Sequence, residues 1–260
     1  MSTTRSPSRK ERATKRAGAG TIALILAAPG GRNLADSNLA LAEHATALSA
    51  EMDWAFVGHG VLHGEPSLDA IVEMALTKGV DEIVIYPFSM SECHFVTRAL
   101  PECVAAAGAT NRATILPPLG RDPGLAAVMM DEALEAAGQA RFDPATTRLL
   151  IAGQGSRSEP TLVNAVADIA GAVNAMGRFK IVEPAYLERP PFLFNTLASE
   201  KIATIVAGFF ADKGTHSMHD IPSAIEESGA RAVYAGPVGA CAAVRHLIAE
   251  ATRRHTLNAG

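Results

Sequence analysis

The chain repeats itself at an interval of roughly 120 residues, and a repeat of that size restricts it to folds built from two equivalent units. Leu26-Ala-Ala-Pro-Gly-Gly-Arg32 lines up with Ile151-Ala-Gly-Gln-Gly-Ser-Arg157: an apolar strand end, a glycine-containing turn, an arginine, then helical spacing. Trp54-Ala-Phe-Val57 pairs with Pro184-Ala-Tyr-Leu187, each read as a strand end before a proline-containing turn, with residues 58–64 as an insertion in the first half. Ile83-Val-Ile-Tyr-Pro-Phe88 pairs with Thr204-Ile-Val-Ala-Gly-Phe209, with His94 and His216 each following a few residues later. Residues 112–120 match 231–239. Four matches in one order, with small spacers, make a duplication.

Segments of helical length separate these strands. They are read at 33–51, 67–78, 95–107 and 124–138, and again at 161–176, 192–200, 221–227 and 240–254, several of them stopping at a glycine. Strand and helix in alternation predict an α/β fold with parallel sheets. The expected architecture is two duplicated doubly wound domains, each with a four-stranded parallel sheet flanked by helices. Boundaries are drawn at 21–140 and 148–260, joined by a linker at 141–147 that contains Asp143-Pro144.

Composition narrows the function classes. Apolar residues make up 48% of the chain, enough for a sizeable core. Residues 1–20 carry a local +5, which leaves −9 elsewhere against a whole-chain net charge of −4, so a nucleic-acid-binding body is disfavoured. The basic tail, poor in apolar residues, is expected to be disordered. With the short apolar run after it, the tail has the layout of a secretion signal, but removing that run would delete a strand the repeat requires. Three cysteines without paired spacing suit a reducing compartment, and no apolar run reaches the ~18 residues of a membrane span. A cytoplasmic protein is expected.

The chemistry is expected where strands end. Residues 203–222 run from a β-branched strand through a glycine-containing loop into a helix predicted to start at Asp220-Ile-Pro222, which puts His216 at a carboxyl strand end. In open α/β sheets that edge binds ligands, and a gap between two domains favours pockets. A neutral imidazole there can ligate a metal or take a proton. His219 is read as solvent-facing unless the helix starts earlier, when it would share a face with His216. Glu188 should reach the same edge, as should Gln154, Ser156 and Arg157 in a turn able to offer N–H groups to an anion. The first half offers Glu92, Cys93 and His94, with His59 and His63, as donors for a borderline divalent metal. Cys103 and Cys241 are read as core residues in helices. Arg32, Arg98, Arg121, Arg157, Arg189 and Lys213, all placed in loops at the cleft edge, would suit a polycarboxylate. Neither half has a complete dinucleotide fingerprint or a Walker lysine, and no nucleophile elbow surrounds Ser156; nucleotide binding and hydrolase chemistry are both disfavoured.

Two motifs carry a family resemblance. Gly214-Thr-His216-Ser-Met-His-Asp220-Ile-Pro222 fits Gly-x-His-x-x-x-Asp-Ile/Leu-Pro, and Gln154-Gly-Ser-Arg157 fits His-Gly-Ser-Arg with Gln in place of His. The strand end Ala-Tyr-Leu-Glu188 resembles Phe-Leu-Glu. Over residues 21–254 the chain resembles the class II tetrapyrrole chelatases, the sirohydrochlorin cobalto- and ferrochelatases of CbiX/SirB type. The resemblance implies insertion of a divalent metal (Co, Fe or Ni) into a sirohydrochlorin-like macrocycle, as in cobalamin or siroheme biosynthesis. The metal is then a substrate, and no permanent cofactor is expected. His216, Glu188 and Gln154 would be catalytic. Ser156, Arg157, Lys213 and Arg32 would hold the macrocycle. His216 and Glu188, with His94, Cys93 and His63 in reserve, would meet the metal. Pro29 stands in place of the first motif's His in the first half, and Ser91-Glu-Cys-His94 is read as keeping the second motif's His. Because the first-motif His is missing from both halves, the alternative is a non-catalytic carrier of tetrapyrrole or metal. A tetrapyrrole is the expected partner, with no nucleic acid or membrane and a monomer or homodimer as the assembly.

Overall fold

The structure, a computed structural model, describes residues 21–31, 38–156, 160–199 and 201–258. The basic tail, Arg32 and Arg157 lie outside the described residues. In the first half, β1 (Ile22–Gly30), α1 (Leu39–Glu51), β2 (Phe56–His63), α2 (Leu68–Thr77), β3 (Glu82–Pro87), α3 (Leu100–Ala106), β4 (Ala113–Ile115) and α4 (Leu125–Ala140) follow in order. The second half repeats the series with β5 (Arg148–Gly153), α5 (Pro160–Ala175), β6 (Ile181–Tyr186), α6 (Leu193–Ser199), β7 (Thr204–Gly208), α7 (Ile221–Ser228), β8 (Ala232–Pro237) and α8 (Val244–Asn258). Each half forms a four-stranded parallel sheet, in the orders β2-β1-β3-β4 and β6-β5-β7-β8. The duplicated, doubly wound α/β architecture is therefore present.

The central strands show why. Both faces of β1 are buried, so its sequence is a continuous apolar run with no polar alternation. The period of two is still there, but it sorts between two cores. Leu24 and Leu26 join one apolar cluster, and Ala23, Ile25 and Ala27 another. In β5, Leu149 and Ile151 enter the same cluster as Leu24, while Leu150 and Ala152 enter a third. Each sheet thus has a private core on one face and a core shared with its twin on the other.

The halves interlock through their last helices. α4, from the first half, packs on β7 and β8, and α8, from the second, packs on β3 and α1. Polar contacts pin the exchange: His255 of α8 lies 2.6 Å from Glu82, and His44 of α1 2.7 Å from the Gly239 carbonyl. Asp212 accepts from the N–H groups of Ala40 and Leu41 at the start of α1, at 3.1 and 3.4 Å. The helix expected from residue 240 begins only at Val244, so Cys241 precedes it and its thiol donates to Glu132 of α4. Burial and that carboxylate push Cys241 up to about 11.

The register corrects two sequence alignments. Val61 bridges Ser67 as Tyr186 bridges Phe192, each pair spanning a cis proline, at Pro66 and Pro191. Residues 58–63 are therefore the body and end of β2 and Gly64 follows it, so this stretch is not an insertion, and His63 is the counterpart of Glu188. Downstream, the N–H of Gly120 donates to Ser89 and that of Gly239 to Phe210, so the loops after β3 and β7 run without gaps. Each loop enters a π-helical turn, Phe95–Ala99 or His216–Asp220. The counterpart of His216 is therefore Phe95, and His94 sits one place earlier. Histidine identity misaligns the repeat here, and the pairs Leu100-Pro101 and Ile221-Pro222 give its register.

Candidate functional site

The proline after each turn explains the turn's form. Pro101 and Pro222 have no N–H, and their rings disfavour regular i→i−4 pairing just before them. The N–H of Leu100 bonds instead to Phe95, and that of Ile221 to His216, five residues back. This wider turn starts four residues before the helix start expected at Asp220 and carries His216, His219 and Asp220 on one element.

In the second half the predicted site residues follow three adjacent strands of one sheet. Gln154 follows β5, Glu188 lies just beyond β6, and His216 opens the turn after β7. Gln154 Nε2 donates to Glu188 Oε1 at 2.8 Å. His216 Nδ1 lies 2.7 Å from Asp220 Oδ2, and His219 Nδ1 3.1 Å from Asp220 Oδ1. Burial acts to raise the Asp220 carboxyl, but the hydrogen bonds and charges of the two imidazoles outweigh it and hold the group below the usual aspartate value. His219 is exposed, as expected, but is tied to the same carboxylate as His216. Asp220 belongs to the quoted motif, yet only coordinates reveal it as a bridge between two rings.

The halves share a cavity of about 420 Å³ at their carboxyl edges, within the roughly 300–1,000 Å³ usual for ligand pockets. Pro29, Ser91 and Cys93 of the first half face Gln154, Ser156 and Phe210 of the second across it. His216, Glu188, His94 and His63 are not among its lining residues. An adjoining space of about 200 Å³ also contains Pro29 and is lined by Lys213 and Asp212. Gly155, beside Gln154, has φ +77°, and a Cβ there would press on Tyr186 and Arg189. Glycine is thus what lets this turn close against the β6 end.

The first half's reserve ligands are dispersed. His59 lies within β2, where burial lowers its pKa, and His63 ends that strand, exposed. Cys93 approaches Ser89 Oγ at 3.5 Å, while His94 is exposed just before the turn. Among the described residues, no group of three or more His, Cys, Asp or Glu side chains is placed to hold a metal. The five sequence-predicted ligands His216, Glu188, His94, Cys93 and His63 thus do not form one preassembled set: they are divided among the ends of β2, β3, β6 and β7. The basic residues also separate. Arg98 lies on the π-turn and pairs with Glu102 at 2.9 Å, Arg121 lies 3.9 Å from Asp168, and Arg189 stacks over Tyr186. Cys103 is core, as expected; its thiol donates to Asp69, and burial pushes it up to about 12.

Among the described residues, no helix is long and apolar enough to cross a membrane. Residues 23–136 and 148–255 match the CbiX family model, one segment in each half. No curated protein matches the chain. Among solved structures, CbiX, described as the terminal enzyme for biosynthesis of siroheme in denitrifying bacteria, is 27% identical with a TM-score of 0.75, over 89% of this chain and 98% of that one. SirB from Bacillus subtilis with Fe3+ is 19% identical with a TM-score of 0.77, over 92% and 97% of the two chains. The sirohydrochlorin chelatase SirB from Bacillus subtilis subspecies spizizenii, in complex with cobalt, is 18% identical with a TM-score of 0.71, over 92% and 96%. The two SirB likenesses speak to the fold.

Proposed function

The chain belongs to the CbiX family, and from that membership we propose that it inserts a divalent metal ion into a sirohydrochlorin-like tetrapyrrole at the carboxyl edge of its second sheet. One observation carries the reading: an imidazole oriented by a carboxylate, and a Gln154–Glu188 pair, stand on three adjacent strand ends beside a cavity that both halves line. Insertion exchanges two pyrrole N–H protons for one M²⁺. His216, with Nδ1 engaged by Asp220, has Nε2 for the metal or for a proton. Glu188 supplies a second oxygen donor and proton acceptor, with Gln154 as its neutral partner. Lys213 and Ser156 meet the peripheral carboxylates, a role the sequence motifs extend to Arg32 and Arg157, which lie outside the described residues. Cobalt, iron and nickel are the ions to try, in a cobalamin- or siroheme-type pathway. A cytoplasmic setting suits the free thiols of Cys93, Cys103 and Cys241, and a monomer suffices because one chain already holds both halves.

The test is a visible-absorption titration of purified protein with sirohydrochlorin and each divalent ion in turn. The expected outcome is a catalytic change to the metallated spectrum with at least one ion. One feature favours a carrier instead: Gln154 spends its amide on Glu188 and brings no imidazole. Tight tetrapyrrole binding with no metallation by any ion would select the carrier.

A further inference from the structure

One carboxylate holds two imidazoles in the turn after β7. Asp220 Oδ2 and Oδ1 lie 2.7 and 3.1 Å from Nδ1 of His216 and His219. An ionised carboxylate only accepts, so each neutral ring donates through Nδ1–H, and each Nε2 is left with a lone pair directed away from Asp220. We propose that Asp220 is a positioning residue that fixes both rings in this tautomer, and that His219 is a second metal-handling imidazole beside His216. The inference rests on the metal-insertion reading above and gives it a second nitrogen donor.

Three observations lead there. The first is that the fold does not need this carboxylate. The turn after β3 has nearly the same backbone, with φ −65° at Leu100 and −67° at Ile221, yet carries Phe95, Arg98 and Ala99 where the second turn carries His216, His219 and Asp220. The second is that Gln154 brings an amide, committed to Glu188, so among the site residues at these three strand ends the imidazole lone pairs are those of His216 and His219. The third is exposure. The His219 side chain is 77% exposed against 42% for His216, so its ring is the more open of the two to an ion from solvent. Carboxylates that orient metal-binding imidazoles in this way commonly matter 10–100-fold to metal affinity or activity.

The experiment uses the full chain labelled with ¹⁵N, without metal, at mildly alkaline pH where imidazoles are neutral. Long-range ¹H–¹⁵N correlations, assigned with His216→Ala and His219→Ala, should show both rings in the Nδ1–H form. In Asp220→Asn the amide keeps one acceptor and gains a donor, so at least one ring should change tautomer. The same variant should lose at least about tenfold in kcat for insertion with an unchanged KM for the tetrapyrrole, and Asp220→Glu should recover part of it. His219→Gln should raise the KM for the metal ion and weaken Co²⁺ binding to the protein without tetrapyrrole. A merely structural role would lower the melting temperature and leave the tautomers alone. The Nε2–H form at either wild-type ring, or an unchanged kcat in Asp220→Asn, would overturn the proposal. Should the wild type insert no metal at all, the functional reading falls by itself, while the tautomers and Co²⁺ binding still decide this one.

Discussion

Phe95 and His216 occupy the same place in two copies of one turn. Phe95 is buried in the private core of the first sheet, while His216 is half-exposed and bonded to a carboxylate. What the copies share is what the backbone needs: a proline just after the turn, an aliphatic residue before it, and the wide i→i+5 closure. What they do not share is everything able to bind or move a proton. Pro29 faces the common cavity where Gln154 does, and His63 holds the position of Glu188. The first half keeps its place because its last helix covers the second sheet and its α1 receives Asp212 from the second half. Both halves build the core, and the imidazole–carboxylate and Gln154–Glu188 pairs of the proposed reactive edge stand in the second.

The sharpest way to break this comparison is to truncate the twin positions. Phe95→Ala empties a packed site and should cost about 3–5 kcal/mol of stability. His216→Ala, in the same turn, should change stability by less than about 0.5 kcal/mol. Denaturant melts of the two variants check this, and equal losses would mean that the turns are not functionally distinct.

A second contrast adds an imidazole to each half. Gln154→His adds a nitrogen donor beside Glu188 and should tighten Co²⁺ binding by about tenfold, read by calorimetry. Pro29→His should leave that affinity unchanged, because neither a carboxylate-bound histidine nor a glutamate stands at the matching positions of the first half.

The smallest effect concerns Asp212 and its counterpart Ser91. Burial raises the Asp212 carboxyl above its ordinary value, although backbone N–H bonds from Ala40, Lys213 and Leu41 act the other way. Its folded pKa therefore exceeds its unfolded one. The carboxylate weakens the fold at neutral pH, and that cost is relieved as pH falls through the folded value toward the unfolded one. Asp212→Asn should flatten this part of the pH–stability curve and shift neutral-pH stability by less than about 1 kcal/mol. Ser91→Ala should leave the shape of the curve alone. Thermal melts across mildly acidic to neutral pH decide it.

The fold was legible because apolar runs such as Leu24–Ala28 and Leu149–Ala152 occur twice in one order, and burial on both faces leaves few other uses for them. The exchange of α4 and α8 was not legible, since an amphipathic helix does not record which sheet it covers. The placement of His216, Glu188 and Gln154 at strand ends is legible from the chain's strand–turn–helix pattern and from a motif. The Asp220 bridge was missed because hydrogen bonds within a turn depend on its winding, and a π-turn spaces side chains unlike the α-helix assumed from sequence. His94 and His216 are not equivalent for a related reason: the prolines at 101 and 222, and not the histidines, fix the backbone register.

The central claim is that the reactive edge belongs to the second half. Its most direct test is the initial rate of Co²⁺ insertion into sirohydrochlorin, followed by visible absorption, for His216→Ala beside His94→Ala. The account predicts at least a hundredfold loss for His216→Ala and a rate within twofold of the wild type for His94→Ala. Wild-type turnover in the His216 variant, with loss in the His94 variant, would contradict it.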